Sequence, residues 1–156
     1  MQFGIISPFG PTYLTLQTTV MIRNILAVIA GILIGGIVNL GLVTLGYSVF
    51  PLPEGADVTS MQRLAETIQL FSWKNFIFPF IGHAAGPLVG TFIAMLIAAS
   101  HKSKIAIGMG CWFLLGGIIA NVLIPAPLWF KVVDLVFAYL PMTWLGAKLG
   151  GVGKAN

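Results

Sequence analysis

Residues 75–100, with the sequence NFIFPFIGHAAGPLVGTFIAMLIAAS, decide the fold of this chain. They lie in a run of 27 residues between Lys74 and Lys102 that contains no Asp, Glu, Lys or Arg. A helix needs about 20 predominantly apolar residues to cross the hydrocarbon core of a bilayer. The stretch is therefore long enough to predict a transmembrane helix.

The rest of the chain is also rich in hydrophobic residues and poor in charged ones. Only 8% of the 156 residues are charged and 58% are hydrophobic, whereas soluble domains carry about a quarter charged residues. Proline pairs end two further apolar runs, at Pro51 with Pro53 and at Pro125 with Pro127. The sequence predicts an all-α polytopic membrane protein, with four transmembrane helices in an antiparallel bundle at about residues 24–50, 75–100, 105–124 and 129–149.

The longest predicted loop, residues 51–74, has helical periodicity of its own. Thr59 and Gln62 fit a capping box, and apolar residues then recur at helical spacing. This pattern predicts a short amphipathic helix at the membrane surface between the first two spans, and a simple spacer is the alternative interpretation. The apolar positions are Met61, Leu64, Ile68 and Phe71.

The two ends of the chain complete the predicted organisation. Residues 1–20 are uncharged and interrupted by prolines, so they are interpreted as an extra leader or upstream start, or else as a segment that docks on a partner. Residues 21–151 form the membrane domain and residues 152–156 a cytoplasmic tail. Both termini are expected in the cytoplasm because their side of the membrane carries five basic residues and no acidic one. These are Arg23, Lys102, Lys104, Lys148 and Lys154.

Small residues recur every fourth position in the predicted spans. Residues four apart lie on nearly the same face of a helix, so each row forms a flat groove that another backbone can approach closely. The pattern predicts tight helix packing and leaves open whether the packing is within one chain or between chains. The residues expected to pack are Gly31, Gly35, Gly82, Gly86, Gly90, Ala94, Gly146 and Gly150.

Four polar residues interrupt the apolar spans, one in each, and all fall in the predicted outer half. They are Asn39, His83, Asn121 and Asp134. Burying polar groups in hydrocarbon is costly unless they find partners, so these four are expected to converge inside the bundle. Interhelical hydrogen bonds that fix the fold are one interpretation, and a site for an ion, a proton or a ligand is the other.

Several classes of function are disfavoured by the composition. Cys111 is the only cysteine, so thiol-redox enzymes that need cysteine pairs are excluded and no cysteine-based metal site is expected. The basic residues form no dense stripe that would indicate nucleic-acid binding. No paired carboxylates, Ser-His-Asp spacing or phosphate-binding loop is present. The chain is therefore expected to be no enzyme and to use no metal or other cofactor.

Four segments are similar to small four-helix inner-membrane proteins of bacteria, for which no activity is assigned. They are PLPEGADVT at 51–59, FIFPFIGHAAGPLVG at 76–90, GGIIANVLIPAPLWF at 116–130 and VVDLVFAYLPMTWLG at 132–146. The resemblance extends over about residues 21–151. It implies a four-helix fold in a bacterial inner membrane and no catalytic residue.

Two main functional hypotheses follow from the sequence, and an enzyme acting on lipid or quinone is a third for which no acid-base pair is visible. The first is a non-catalytic accessory or scaffold subunit, which packs through its small-residue faces against membrane lipid and other membrane chains, in a homo-oligomer or a larger complex. The second is a small transporter or channel with an outward-facing polar site formed by the four polar residues.

Overall fold

The structure is a computed structural model that describes residues 10–153. In this range the chain is helical and has no strand. Four helical stretches are long and apolar enough to cross a membrane, namely Pro11–Val49, Trp73–Ile97, Lys102–Leu123 and Leu128–Leu149. The predictions of an all-helical fold and of four candidate spans are confirmed.

Within residues 10–153, six α-helices form these spans and part of the loop between the first two. They are α1 (Pro11–Val49), α2 (Met61–Thr67), α3 (Ile77–Ile97), α4 (Lys102–Leu123), α5 (Leu128–Phe137) and α6 (Leu140–Leu149). Short 3-10 turns at Ile68–Leu70 and Trp73–Phe76 follow α2 and precede α3.

The first helix begins earlier than the sequence predicts. Pro11 occupies its first turn, where a missing backbone N–H is not needed and the fixed φ of proline favours helix initiation. Residues 11–20 of the predicted leader therefore belong to α1, and residues 1–9 lie outside the described range. With 39 residues, α1 is about 58 Å long at about 1.5 Å per residue, roughly twice the thickness of a hydrocarbon core.

The fourth span is interrupted in the middle. α5 ends at Phe137 and α6 begins at Leu140, within the span that the sequence predicts at about 129–149 and in which Pro141 can introduce a kink. Pro141 explains the break, because its ring clashes with the carbonyl of Phe137 in a continuous helix and it has no N–H to donate. Pro87 lies within α3 without ending it.

The cap of α2 differs from the predicted one. The Ser60 hydroxyl, and not that of Thr59, accepts a hydrogen bond from a backbone N–H, that of Arg63 at 3.2 Å. Thr59 instead bonds to Asp57, and Gln62 to Glu66. The predicted capping box of Thr59 and Gln62 is therefore wrong by one position, because Asp57 competes for the Thr59 hydroxyl.

Glycines allow α1 and α3 to pack with their backbones in contact. A Cβ atom on Gly35 would lie 2.6 Å from the carbonyl oxygen of Gly86, and one on Gly31 would lie 2.5 Å from that of Gly90. The residue numbers at these contacts therefore decrease along α3 as they increase along α1, so the two helices are antiparallel. Only residues without a side chain fit at this distance.

The other small residues of the predicted rows also lie against helices of the same chain. Gly82 contacts Asn39, Ala94 lies opposite Gly31, and Gly146 and Gly150 lie against α3. The inner core next to these contacts is apolar and closely packed. Its buried residues are Ala94, Met95, Ala106, Met109 and Ala147.

Candidate functional site

A histidine and an aspartate from different spans form the centre of the candidate site. His83 Nδ1 on α3 lies 2.8 Å from Asp134 Oδ1 and 3.0 Å from Oδ2 on α5. An imidazole nitrogen between two carboxylate oxygens carries a proton and donates it, so Nδ1–H is the donor. The other ring nitrogen, Nε2, has no hydrogen-bond partner among the described residues.

Tyr139 is the second partner of the carboxylate. Its hydroxyl donates to Asp134 Oδ2 at 3.0 Å. Tyr139 lies at the break between α5 and α6, five residues after Asp134. On one continuous helix, five residues correspond to a rotation of about 140°, so the break is what turns the tyrosine back towards the aspartate.

The carboxylate is fully inaccessible to solvent, whereas the histidine is partly open. Asp134 is 0% exposed and the His83 side chain is 21% exposed. A charged group in a membrane span is costly unless it is paired, and such groups commonly mark pathways for ions, protons or substrates. The arrangement can hold or release one proton at the imidazole while the buried carboxylate keeps its two donors.

A first cavity of about 120 Å³ leads to this pair. His83, Asp134 and Asn121 supply its polar lining, and Tyr47 lines it from α1. The remaining lining residues are apolar or aromatic, and three of them, Leu64, Ile68 and Phe71, come from α2 and the chain that follows it.

The segment between the first two spans covers the first cavity. Ile68 is buried against Phe76 and Phe130, and the Gln69 side chain donates to the carbonyl of Pro125 at 2.7 Å. At its start, Asp57 accepts hydrogen bonds from the hydroxyl and backbone N–H of Thr59. These bonds, aided by Arg63 at 3.1 Å, lower the pKa of Asp57. The contacts of Ile68 and Gln69 thus fix the end of the segment against the bundle, and the bonds of Asp57 order its start.

A second cavity of about 230 Å³ lies on another side of the same histidine. Its polar lining comes from Asn39, His83 and Tyr139, and its aromatic lining includes Trp112 and Phe113. The Asn39 side-chain amide has no hydrogen-bond partner among the described residues. His83 and Ala120 are the two residues that line both cavities.

Asn121 lies near the His83–Asp134 pair, and its hydrogen bonds are to residues of α4 and α5 outside that pair. Its side-chain amide donates to the carbonyl of Gly117 at 2.9 Å, and its backbone carbonyl accepts from Lys131 Nζ at 2.6 Å. Lys131 is therefore directed towards α4 and forms no ion pair with Asp134. Asp134 is not solvated at the interface beside Lys131, because its carboxylate is buried inside the bundle.

The four predicted polar residues are thus arranged around one imidazole. His83 and Asp134 are in direct contact, Asn121 shares the first cavity with them, and Asn39 shares the second with His83. Tyr139 is absent from the predicted set. Its position two residues before Pro141 was the only signal in the sequence, since tyrosines are also common at membrane boundaries.

No group of three or more His, Cys, Asp or Glu side chains able to hold a metal occurs in residues 10–153. No protein-family model, curated protein or solved structure matches the chain. The similarity to small bacterial inner-membrane proteins therefore stays an expectation from the sequence.

Proposed function

We propose that this chain is a small membrane transporter whose solute site is formed around His83 and Asp134. The observation that carries the proposal is the fully buried carboxylate, bonded to an imidazole that lines two cavities. A purely structural hydrogen bond needs no cavity beside it, whereas a binding site does.

The apolar core supports a transporter over an open channel. Met95 and Met109 are fully buried among small residues and close the part of the bundle near the end of α3 and the start of α4. Access to His83 from only one side at a time is what alternating access requires. The four spans are proposed to alternate in direction through a bacterial inner membrane, with both termini cytoplasmic and the first cavity opening outwards.

Charge movement after a sudden change of pH tests this proposal. Proteoliposomes on a solid-supported membrane should give a transient current with the wild type, because protons bind to and leave the pair inside the bundle. Asp134→Asn keeps the size of the side chain and should abolish most of the current. The matched control is Glu54→Gln, which removes an exposed loop carboxylate and should leave it intact. Equal currents in wild type and Asp134→Asn would exclude the proposal.

An accessory subunit is the second candidate, and the length of α1 favours it. Arg23 Nε bonds to the carbonyl of Ile97, the last residue of α3, so residues 11–22 continue beyond the end of the neighbouring helix. This segment is uncharged, and Leu14, Leu16 and Met21 on it are more than half exposed. Such an apolar surface suits contact with another membrane chain or a second copy.

The particle mass in lipid nanodiscs tests the second candidate. The full chain should assemble into an oligomer, and a chain that begins at Met21 should be a monomer, because it lacks most of the extension. A monomer in both cases, with no other chain bound to the full-length protein purified from its native membrane, would eliminate the accessory role.

A further inference from the structure

The second cavity combines hydrogen-bonding groups with a lining that carries no positive charge among the described residues. Neither His83 Nε2 nor the Asn39 amide has a partner among the described residues, and both residues line this space. Among residues 10–153, no Lys or Arg lines it. Unpartnered polar groups inside a membrane span are costly, so a ligand that bonds to them is favoured.

When His83 is neutral, the charged groups around the pair leave one uncompensated negative charge, that of Asp134, beside this cavity. Asp134 lies directly behind His83, and Tyr139 donates to it. Tyr47 faces the first cavity, while the Lys131 ammonium is bound to the Asn121 carbonyl and lines neither cavity. α4 contributes no charged side chain to either cavity, and Arg63 of the covering segment is paired with Asp57.

The walls of the cavity suit a cation that also has apolar surface. Trp112, Phe113 and Tyr139 present aromatic rings, and the negative face of an aromatic ring attracts cations. Trp112 is 55% exposed and a Cβ atom on Gly116 would meet nothing within 4 Å, so the cavity is open towards the lipid between α1 and α4. An apolar cavity of about 150 Å³ admits benzene, so about 230 Å³ is enough for a small amphiphilic amine.

Building on the proposed function, we infer that the second cavity binds a small organic cation in exchange for the proton on His83. When the imidazole is protonated, both of its nitrogens are donors and its positive charge is balanced by Asp134. A second cation is then repelled. When the Nε2 proton leaves to water, Nε2 becomes an acceptor, the carboxylate lacks a full counter-charge, and the ammonium group of the ligand replaces it. One positive charge leaves and one binds, so the charge of the site is unchanged.

Binding of benzylammonium to the full chain in nanodiscs tests the inference by isothermal titration calorimetry. Because one proton is exchanged for each cation, the affinity should be higher at about pH 8 than at about pH 6, with a change of at most about tenfold per pH unit. Benzyl alcohol has the same ring without the charge and should bind at least tenfold more weakly at the higher pH. Benzoate should not compete.

Variants separate the binding site from general effects on the fold. Asp134→Asn should abolish the preference for the cation over the alcohol. Asn39→Ala should lower the affinity for benzylammonium at least several-fold without changing its pH dependence. Gln17→Ala, on the extension of α1, should bind like the wild type.

Each other result contradicts the inference in a distinct way. Equal binding of benzylammonium and benzyl alcohol would show only an apolar cavity, and benzoate binding that tightens at low pH would show an anion site. If benzylammonium does not bind while the wild-type pH-jump current persists, the substrate class is wrong and the transporter proposal stands. If the pH-jump current is absent as well, both the cation inference and the transporter proposal are wrong.

Discussion

Replacing His83 with leucine is expected to lower the free energy of unfolding by about 3–5 kcal/mol, because it leaves the buried Asp134 carboxylate without its main partner. The Asp134→Leu variant should also lose stability, since the imidazole and the Tyr139 hydroxyl lose their acceptor. The double variant is expected to lose less than His83→Leu alone. A buried ion pair can be replaced by apolar residues at little cost, whereas breaking it from one side is costly.

Reversible unfolding in mixed micelles, followed by circular dichroism, measures this double-mutant cycle. Glu54→Gln is the control, because that carboxylate is exposed in the loop and its replacement should change stability by less than about 0.5 kcal/mol. Strictly additive losses from the two leucine substitutions would show that His83 and Asp134 have no energetic coupling. The contact between these two side chains would then be wrong.

Gly35→Ala and Gly36→Ala are expected to have opposite effects although they change neighbouring residues in the same way. An alanine methyl at residue 35 would meet the Gly86 carbonyl oxygen at 2.6 Å, so the backbones of α1 and α3 must separate. Overpacking of this kind costs about 1–3 kcal/mol, and occasionally more. Gly36 has nothing within 4 Å of the position of its Cβ, and alanine there should stabilise the helix by up to about 1 kcal/mol.

The same unfolding measurement decides this prediction, and binding of benzylammonium adds a second readout. Gly35 lies one helical turn before Asn39, so separation of α1 from α3 should also lower the affinity of the second cavity for benzylammonium. Equal stability of the two variants would mean that α1 and α3 are further apart than the structure has them.

The spans can be predicted from the sequence because a long uncharged run in lipid must satisfy its own backbone hydrogen bonds, which an α-helix does. Helix termini are less predictable. Pro11 marks the start of α1, but a proline there resembles a helix breaker as much as a helix start. The sequence marks both Pro87 and Pro141 as residues that can kink a span, but only Pro141 lies next to a break, at Ala138 and Tyr139, and Pro87 does not interrupt α3. Whether a proline ends a helix depends on neighbouring helices that sequence periodicity does not contain.

The candidate site was partly predictable. His83 and Asp134 are conspicuous as ionisable residues in apolar spans, but their contact depends on the rotation of α3 relative to α5. The glycine rows predict close packing and not the identity of the packed helix. The structure shows the α1 and α3 rows against each other within one chain, so fewer small-residue faces are left for partners than the sequence suggests.

The interruption of the fourth span also bears on how the chain is inserted during synthesis. α5 and α6 have ten residues each, which is about 15 Å of helix, or half of a hydrocarbon core. Neither half can cross alone, and together they have the lowest mean hydropathy of the four spans and include an aspartate. We therefore expect stable insertion of the last span to require α3 in the membrane, because His83 on α3 is the partner of the buried Asp134 carboxylate.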